Sequence, residues 1–194
     1  MRFLTLLFVV LFSALIAACG PEPKFHAVDL SSVTWGKDFS LTDQNGKHRT
    51  LADYRGKTVV IFFGYTQCPD VCPTNLSTLR DVVTTLGADA DRVQMLFVTV
   101  DPERDTQELL AQYVAAFHPR FIGLYGDAAA TVATAKEFKV FYVKQPGRTP
   151  STYTVDHTAG SYVIDPHGKL RLYIKHGETP ARIADDLKLL LAEP

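Results

Sequence analysis

The sequence predicts an α/β fold in which helices flank both faces of a mixed central sheet. Through the middle of the chain, short apolar runs of strand length alternate with stretches of helical apolar spacing. Near the end, two strand-like runs flank a tight turn, so they pair antiparallel. Alternating strands and helices favour parallel neighbours joined by crossover helices. The 194 residues, 46% of them hydrophobic, suit one domain with an apolar core.

A β-hairpin is predicted to open the folded body. Phe39–Asp43 alternates apolar and polar residues, as a half-buried strand does. Asn45-Gly46 is a hairpin turn signal, and residues 48–50 form the returning strand. A single helical turn is expected at Leu51–Tyr54 before the central sheet begins.

Three strand–helix units form the predicted centre of the fold. Their strands are compact apolar runs, and their helices carry apolar residues three and four positions apart. The predicted strands are Thr58–Phe63, Val93–Val100 and Phe121–Tyr125. The predicted helices are Pro73–Leu86, Thr106–Phe117 and Ala128–Phe138.

The last part of the chain contains a second hairpin and a closing helix. A short run at Val140–Val143 precedes two strands, Gly160–Asp165 and Leu170–Lys175, which a tight turn connects. Thr179–Leu191 has the apolar pattern of an amphipathic helix. This order of elements is that of a thioredoxin-like layout, with an added N-terminal β-hairpin and an insertion before the last hairpin.

The N-terminus has the features of an export signal. A positive start at Met1-Arg2 precedes an apolar run that is shorter than the roughly 20 residues that span a bilayer. The run ends in Ala17-Ala18-Cys19-Gly20, which resembles the bacterial lipobox, in which the cysteine becomes the lipid-modified first residue. We therefore predict a signal peptide at 1–18, a tether at 19–35 and the folded domain at 36–194. The domain is expected in the bacterial cell envelope, lipid-anchored to a membrane on the extracytoplasmic side.

The charge distribution argues against nucleic acid as a partner. Lysine and arginine number 20 against 21 acidic residues, which gives a net charge of −1. The basic residues do not cluster, so the sequence lacks the electrostatic footprint of a nucleic-acid-binding surface.

Two cysteines lie in a segment that is predicted to be a reactive loop. Cys68 and Cys72 lie between a predicted buried strand and the helix that follows, where exposed N–H groups and the helix dipole stabilise a thiolate. The spacing is compatible with a reversible disulfide, a two-thiolate metal clamp or two buried apolar thiols. Soft thiolates select Cu(I) or zinc, and structural zinc normally takes four protein ligands. The folded body offers two thiols and histidines, a donor set that suits copper.

His157 is the histidine best placed to complete such a site. The other five are expected at the solvated surface. His157 precedes the predicted strand Gly160–Asp165, and in a thioredoxin-like layout the loop entering that strand packs against the cysteine loop. Asp156 is a candidate for orienting the imidazole, although its side chain could equally face solvent.

Three motifs together resemble the Sco/SenC family of copper chaperones for cytochrome c oxidase assembly. They are Gly64–Pro73, Val98–Thr106, and Asp156-His157-Thr158 followed by Tyr162–Asp165. The resemblance covers about residues 36–192. It implies a thioredoxin-like fold and copper held by Cys68, Cys72 and His157. It also implies an exported copper protein as partner, cytochrome c oxidase subunit II, to which copper is delivered or whose cysteines are reduced. The lipobox departs from the family, since many relatives have a transmembrane helix instead.

The sequence leaves two functions open and disfavours a third. A metallochaperone needs His157 beside the cysteines, whereas a thiol–disulfide oxidoreductase that keeps an exported copper protein reduced needs only Cys68 and Cys72. The absence of proline between Pro150 and Pro166 counts against the oxidoreductase, because thioredoxins place a cis-proline at this position. A peroxidase is disfavoured because no threonine stands three residues before either cysteine.

The segment Asp101–Thr106 also has two readings. Turn formation and helix capping account for its composition. The alternative is that it shapes the copper loop or a partner surface.

Overall fold

The computed structural model describes residues 24–149 and 152–193, and within them the central sheet has eight strands. The strands are β1 (Val28–Asp29), β2 (Leu41–Asp43), β3 (His48–Arg49), β4 (Thr58–Gly64), β5 (Val93–Thr99), β6 (Ile122–Tyr125), β7 (Tyr142–Gln145), β8 (Thr154–His157), β9 (Ser161–Ile164) and β10 (Leu170–Ile174). The helices are α1 (Val71–Leu86), α2 (Gln107–Phe117), α3 (Ala128–Glu137) and α4 (Pro180–Ala192). Short 3-10 turns occupy Leu51–Tyr54 and Gly87–Arg92.

The sheet is mixed, as the sequence predicts. Its strand order is β1-β10-β9-β4-β5-β6-β2-β3, with β4, β5 and β6 parallel and β9 antiparallel to β4. Every residue of β4 is buried, and β5 is buried except for Gln94. Apolar side chains on both faces of these strands require a covering layer on each side, which the flanking helices supply. The predicted thioredoxin-like fold class is confirmed.

Helix α1 begins two residues earlier than predicted. It starts at Val71, so Cys72 belongs to the helix and Pro73 is its third residue. A proline is tolerated here because the first four N–H groups of a helix have no partner within the helix.

A second sheet of two strands was not predicted as such. β8 pairs antiparallel with β7, Tyr142 opposite His157 and Val143 opposite Asp156. β7 overlaps the predicted run Val140–Val143 but begins and ends two residues later. This small sheet carries His157 and stands apart from the strand order of the main sheet.

The folded domain begins earlier than the predicted boundary at residue 36. β1 pairs with β10, and the backbone N–H groups of His26 and Ala27 donate to Asp186 on α4 at 2.9 and 2.8 Å. Side chains of this segment, such as Trp35, pack against the core in irregular spacing that gives no periodic signal. The predicted signal peptide and the predicted lipidation site, Cys19, lie outside the described residues. Among the residues described, no helix has the length and apolarity needed to cross a membrane.

The N-terminal hairpin is closed by a buried ion pair. Asp43 is 1% exposed and accepts from the Arg49 guanidinium at 2.8 Å and from the backbone N–H groups of Asn45 and Lys47. Gly46 adopts a φ of +79°, which a residue with a side chain rarely takes. The predicted Asn-Gly turn is therefore confirmed, on the edge of the sheet formed by β2 and β3.

Candidate metal centre

The cysteines occupy the junction between β4 and α1. Cys68 lies half-buried in the connecting loop, and Cys72 is fully buried in the first turn of α1. Both are free thiols. The backbone N–H of Cys72 donates to the Cys68 sulfur at 3.3 Å, so the helix N-terminus points at that sulfur. The strand-to-helix placement predicted from sequence thus brings both sulfurs to one end of a helix.

β8 brings His157 to the same place. Its Nε2 lies 3.3 Å from the Cys72 sulfur, and its Nδ1 lies 3.0 Å from the carbonyl oxygen of Thr158. A carbonyl oxygen can only accept, so Nδ1 carries the proton and Nε2 presents a lone pair to the cysteines. The rings of Phe62 and Tyr65 meet the imidazole edge-on at centroid distances of 6.0 and 5.9 Å and confine it.

The two thiols have opposite pKa shifts. A hydrogen bond from the Cys72 thiol, with smaller contributions from the backbone N–H groups of Asp70 and Cys72, lowers the pKa of Cys68 to about 3 against the cost of burial. The hydrogen bond to Cys68 and burial raise the pKa of Cys72 well above its usual range. One proton is therefore shared between the two sulfurs, and the negative charge resides on the more exposed Cys68.

Asp156 does not orient the histidine. Its carboxylate is exposed and accepts from the Gln145 side chain at 2.6 Å, on the opposite face of β8 from the imidazole. Successive side chains of a strand point to opposite faces, so a residue adjacent to His157 in β8 cannot share its side of the strand. The carbonyl of Thr158 fills the orienting role for which Asp156 was a candidate.

The three side chains form a donor set for a soft metal ion. The Cys68, Cys72 and His157 ligand atoms all lie within 4.8 Å of one another. Two thiolates and one imidazole match the ligand preference of copper, and they leave structural zinc one protein ligand short. A groove of about 440 Å³, with Pro69, Val71 and Val155 among its walls, leads to Cys68. A partner can therefore approach the half-buried Cys68 sulfur without unfolding the site.

Known proteins supply the decisive comparison. A family model described as SCO1/SenC matches residues 29–192. The chain belongs to the SCO1/SenC family. It is 40% identical over 173 residues to the mitochondrial protein SCO2 homolog of Bos taurus, covering 88% of this chain and 65% of that protein. It thus spans slightly less than two thirds of that SCO2 homolog.

Solved Sco structures share both the fold and substantial sequence. The copper-bound ScoI of Bradyrhizobium japonicum is 42% identical, with a TM-score of 0.74, covering 80% of this chain and 98% of that one. A SCO1/SenC family lipoprotein from Bacillus anthracis is 26% identical with a TM-score of 0.71, covering 86% and 99%. These relatives include a copper-bound protein and a lipoprotein, both from bacteria.

Proposed function

We propose that this Sco protein is a membrane-tethered copper metallochaperone that holds one copper ion through Cys68, Cys72 and His157. The observation that carries the proposal is the convergence of two sulfurs and one imidazole nitrogen from two separate chain segments. The copper-bound relative at 42% identity supports copper as the metal.

The donor set accommodates both oxidation states of copper. Two thiolates with Cu(I) give a local charge of −1, and with Cu(II) they give 0. Cu(I) is satisfied by two or three soft ligands, so the cysteines suffice for it. Cu(II) favours an added nitrogen, which His157 supplies. The half-buried Cys68 sulfur gives an incoming thiolate of a recipient a place to begin ligand exchange.

The recipient is proposed to be an exported copper protein, the cytochrome c oxidase subunit II with its binuclear copper site. Membership in a family associated with assembly of this oxidase supports the proposal. A lipid on Cys19 would hold the domain at the envelope membrane, as the lipobox-like sequence and the Bacillus lipoprotein relative suggest.

A thiol–disulfide oxidoreductase is the second candidate. The thiolate of Cys68 is accessible while Cys72 is buried behind it, which is the arrangement of an attacking and a resolving thiol. Such a protein would keep the cysteines of the copper recipient reduced. It would not need His157.

Copper loading of the purified full chain, reduced and anaerobic in detergent, distinguishes the two candidates. The parent is expected to retain one copper per chain, and Cys68→Ser to retain none. His157→Ala should weaken chiefly Cu(II), whereas His48→Ala, at an exposed histidine of β3, serves as the matched control. If the parent retains no copper, or if His157→Ala binds both oxidation states like the parent, the chaperone assignment fails and the oxidoreductase leads.

A further inference from the structure

The metal centre is assembled from two chain segments that need a fixed separation. The cysteines belong to the β4–α1 junction, while the histidine belongs to the small β7–β8 sheet. Metal–ligand bonds to sulfur and nitrogen are about 2.0–2.3 Å long, so functional geometry tolerates displacements of only about 0.5 Å. Some contact must therefore set the distance between the two segments.

Arg104, in the loop between β5 and α2, contacts both segments with one nitrogen. Its Nη1 donates to the Gln67 side-chain oxygen at 3.2 Å, next to Cys68 in sequence. The same Nη1 donates to the carbonyl oxygen of Tyr153 at 2.9 Å, directly before β8. A single guanidinium nitrogen thus joins the cysteine loop to the strand that carries the histidine.

Arg104 is itself held rigidly. Its Nε donates at 2.5 Å to Asp101, which has no exposed surface and whose other oxygen accepts from the Tyr153 hydroxyl at 2.7 Å. The guanidinium lies 3.6 Å from the centroid of the Tyr153 ring, and its side chain is only 13% exposed. A planar, forked cation can make the ion pair, the two Nη1 contacts and the ring contact together, whereas a lysine ammonium cannot.

Helix capping does not account for these contacts. The cap of α2 is Thr106, whose hydroxyl accepts from the backbone N–H of Leu109 at 3.2 Å. Arg104 points away from this cap toward the metal centre. The second reading of Asp101–Thr106, that the segment shapes the copper loop, therefore has a structural basis distinct from turn formation.

We propose that Arg104, locked by Asp101 and Tyr153, is a positioning residue that sets the spacing between the cysteine pair and His157. The inference rests on the proposed copper site and deepens it. A Cu(I) ion held by the two thiolates of the β4–α1 junction is insensitive to this spacing. A Cu(II) ion that also needs the imidazole depends on it. Arg104 therefore governs which oxidation state the protein holds well.

Arg104→Lys in the full-length protein tests the proposal. Residues that hold metal ligands in place typically contribute 10- to 100-fold to metal affinity, so Cu(II) affinity should fall at least about tenfold. Cu(I) affinity, measured by competition with a chromophoric chelator, should stay equal to that of the parent protein. The nitrogen hyperfine coupling in the Cu(II) EPR spectrum should weaken. Without copper, amide hydrogen exchange should rise in residues 153–157.

Arg49→Lys is the matched control, because Arg49 also pairs with a buried carboxylate, on the distant hairpin. It should leave copper binding and exchange in β8 unchanged. Cu(I) and Cu(II) affinities that fall by the same factor in Arg104→Lys would overturn the proposal, as would an unchanged Cu(II) spectrum. Tyr153→Phe, which removes only the hydroxyl contact to Asp101, should give a smaller effect of the same kind. A parent that retains no copper would refute the proposed function, and this inference with it.

Discussion

At the residue scale, the two thiols of the metal centre differ in charge and access. The lowered pKa of Cys68 leaves it a thiolate throughout the neutral range, while Cys72 stays protonated and buried. Iodoacetamide should therefore alkylate Cys68 first in the reduced, copper-free protein. The rate of Cys68 alkylation should be nearly constant from pH 8 to pH 5, because with a pKa of about 3 the thiol is almost fully ionised over this range.

Replacing the hydrogen-bond donor provides the control for this prediction. In Cys72→Ala the largest cause of the lowered pKa is gone, so alkylation of Cys68 should slow as the pH falls from 8 to 5. Mass spectrometry of the labelled peptides measures both effects. Preferential labelling of Cys72, or a parent rate that falls about tenfold per pH unit like that of an ordinary thiol, would contradict the assignment.

Gly64 lies so close to the buried Cys72 thiol that a side chain at this position would clash with it. A Cβ at this position would lie 2.8 Å from the Cys72 sulfur and 2.9 Å from a ring carbon of Phe97. Overpacking of this kind typically costs about 1–3 kcal/mol. Gly64→Ala should lower the thermal midpoint and, by displacing Cys72, weaken copper binding. Gly123→Ala is the control, because a methyl group there would contact Val114 and not the metal centre. It should lower the thermal midpoint without changing copper affinity. Equal copper affinities in the two variants would show that the packing of Gly64 against Cys72 does not affect the metal centre.

At the scale of elements, the sequence predicts best those that are apolar on both faces or strongly periodic. β4 and β5 are recognisable because a buried central strand needs an uninterrupted apolar run. β8 has four residues with only Val155 buried, too few for its alternation to stand out from a loop. Without β8 the sequence could not decide between the two alternatives for Asp156, because it is the strand that makes neighbouring side chains point to opposite faces.

Hydrogen bonds between the N-terminal segment and α4 are expected to stabilise the domain. The Asp186 carboxylate, 1% exposed, accepts two backbone N–H groups that attach residues 26–27 to α4. Asp186→Asn should reduce the free energy of unfolding by about 1–3 kcal/mol, because an amide replaces one of the two acceptors by a donor. Urea denaturation measures the loss, and amide exchange should rise at Ala27. An unchanged free energy of unfolding in Asp186→Asn would show that residues 26–27 act only as part of the predicted tether.

At the scale of the whole molecule, three distant motifs meet at one end of the sheet. The sequence identified Cys68, Cys72 and His157 as candidates, and the structure brings the three together. Periodicity cannot give their separation, because it depends on how the β7–β8 sheet docks onto the domain. Arg104 joins the two segments through tertiary contacts that local turn chemistry does not reveal.

The proposed lipid anchor at Cys19 should determine where the protein is located without affecting how it binds copper. Cys19→Ser should release the protein from the membrane fraction, or block its maturation, because serine offers no thiol for lipid attachment. The metal centre lies in the folded domain, so copper affinity of the purified variant should equal that of the parent. Cell fractionation and copper titration measure the two properties. A variant that matures normally and stays membrane-bound would contradict the lipid anchor.

X-ray absorption spectroscopy of the copper-loaded protein identifies the atoms that bind the copper ion. We expect two sulfur ligands and one imidazole nitrogen for Cu(II), with the imidazole scattering lost in His157→Ala and kept in His48→Ala. A single sulfur in the parent, or imidazole scattering that persists in His157→Ala, would contradict a site built from Cys68, Cys72 and His157.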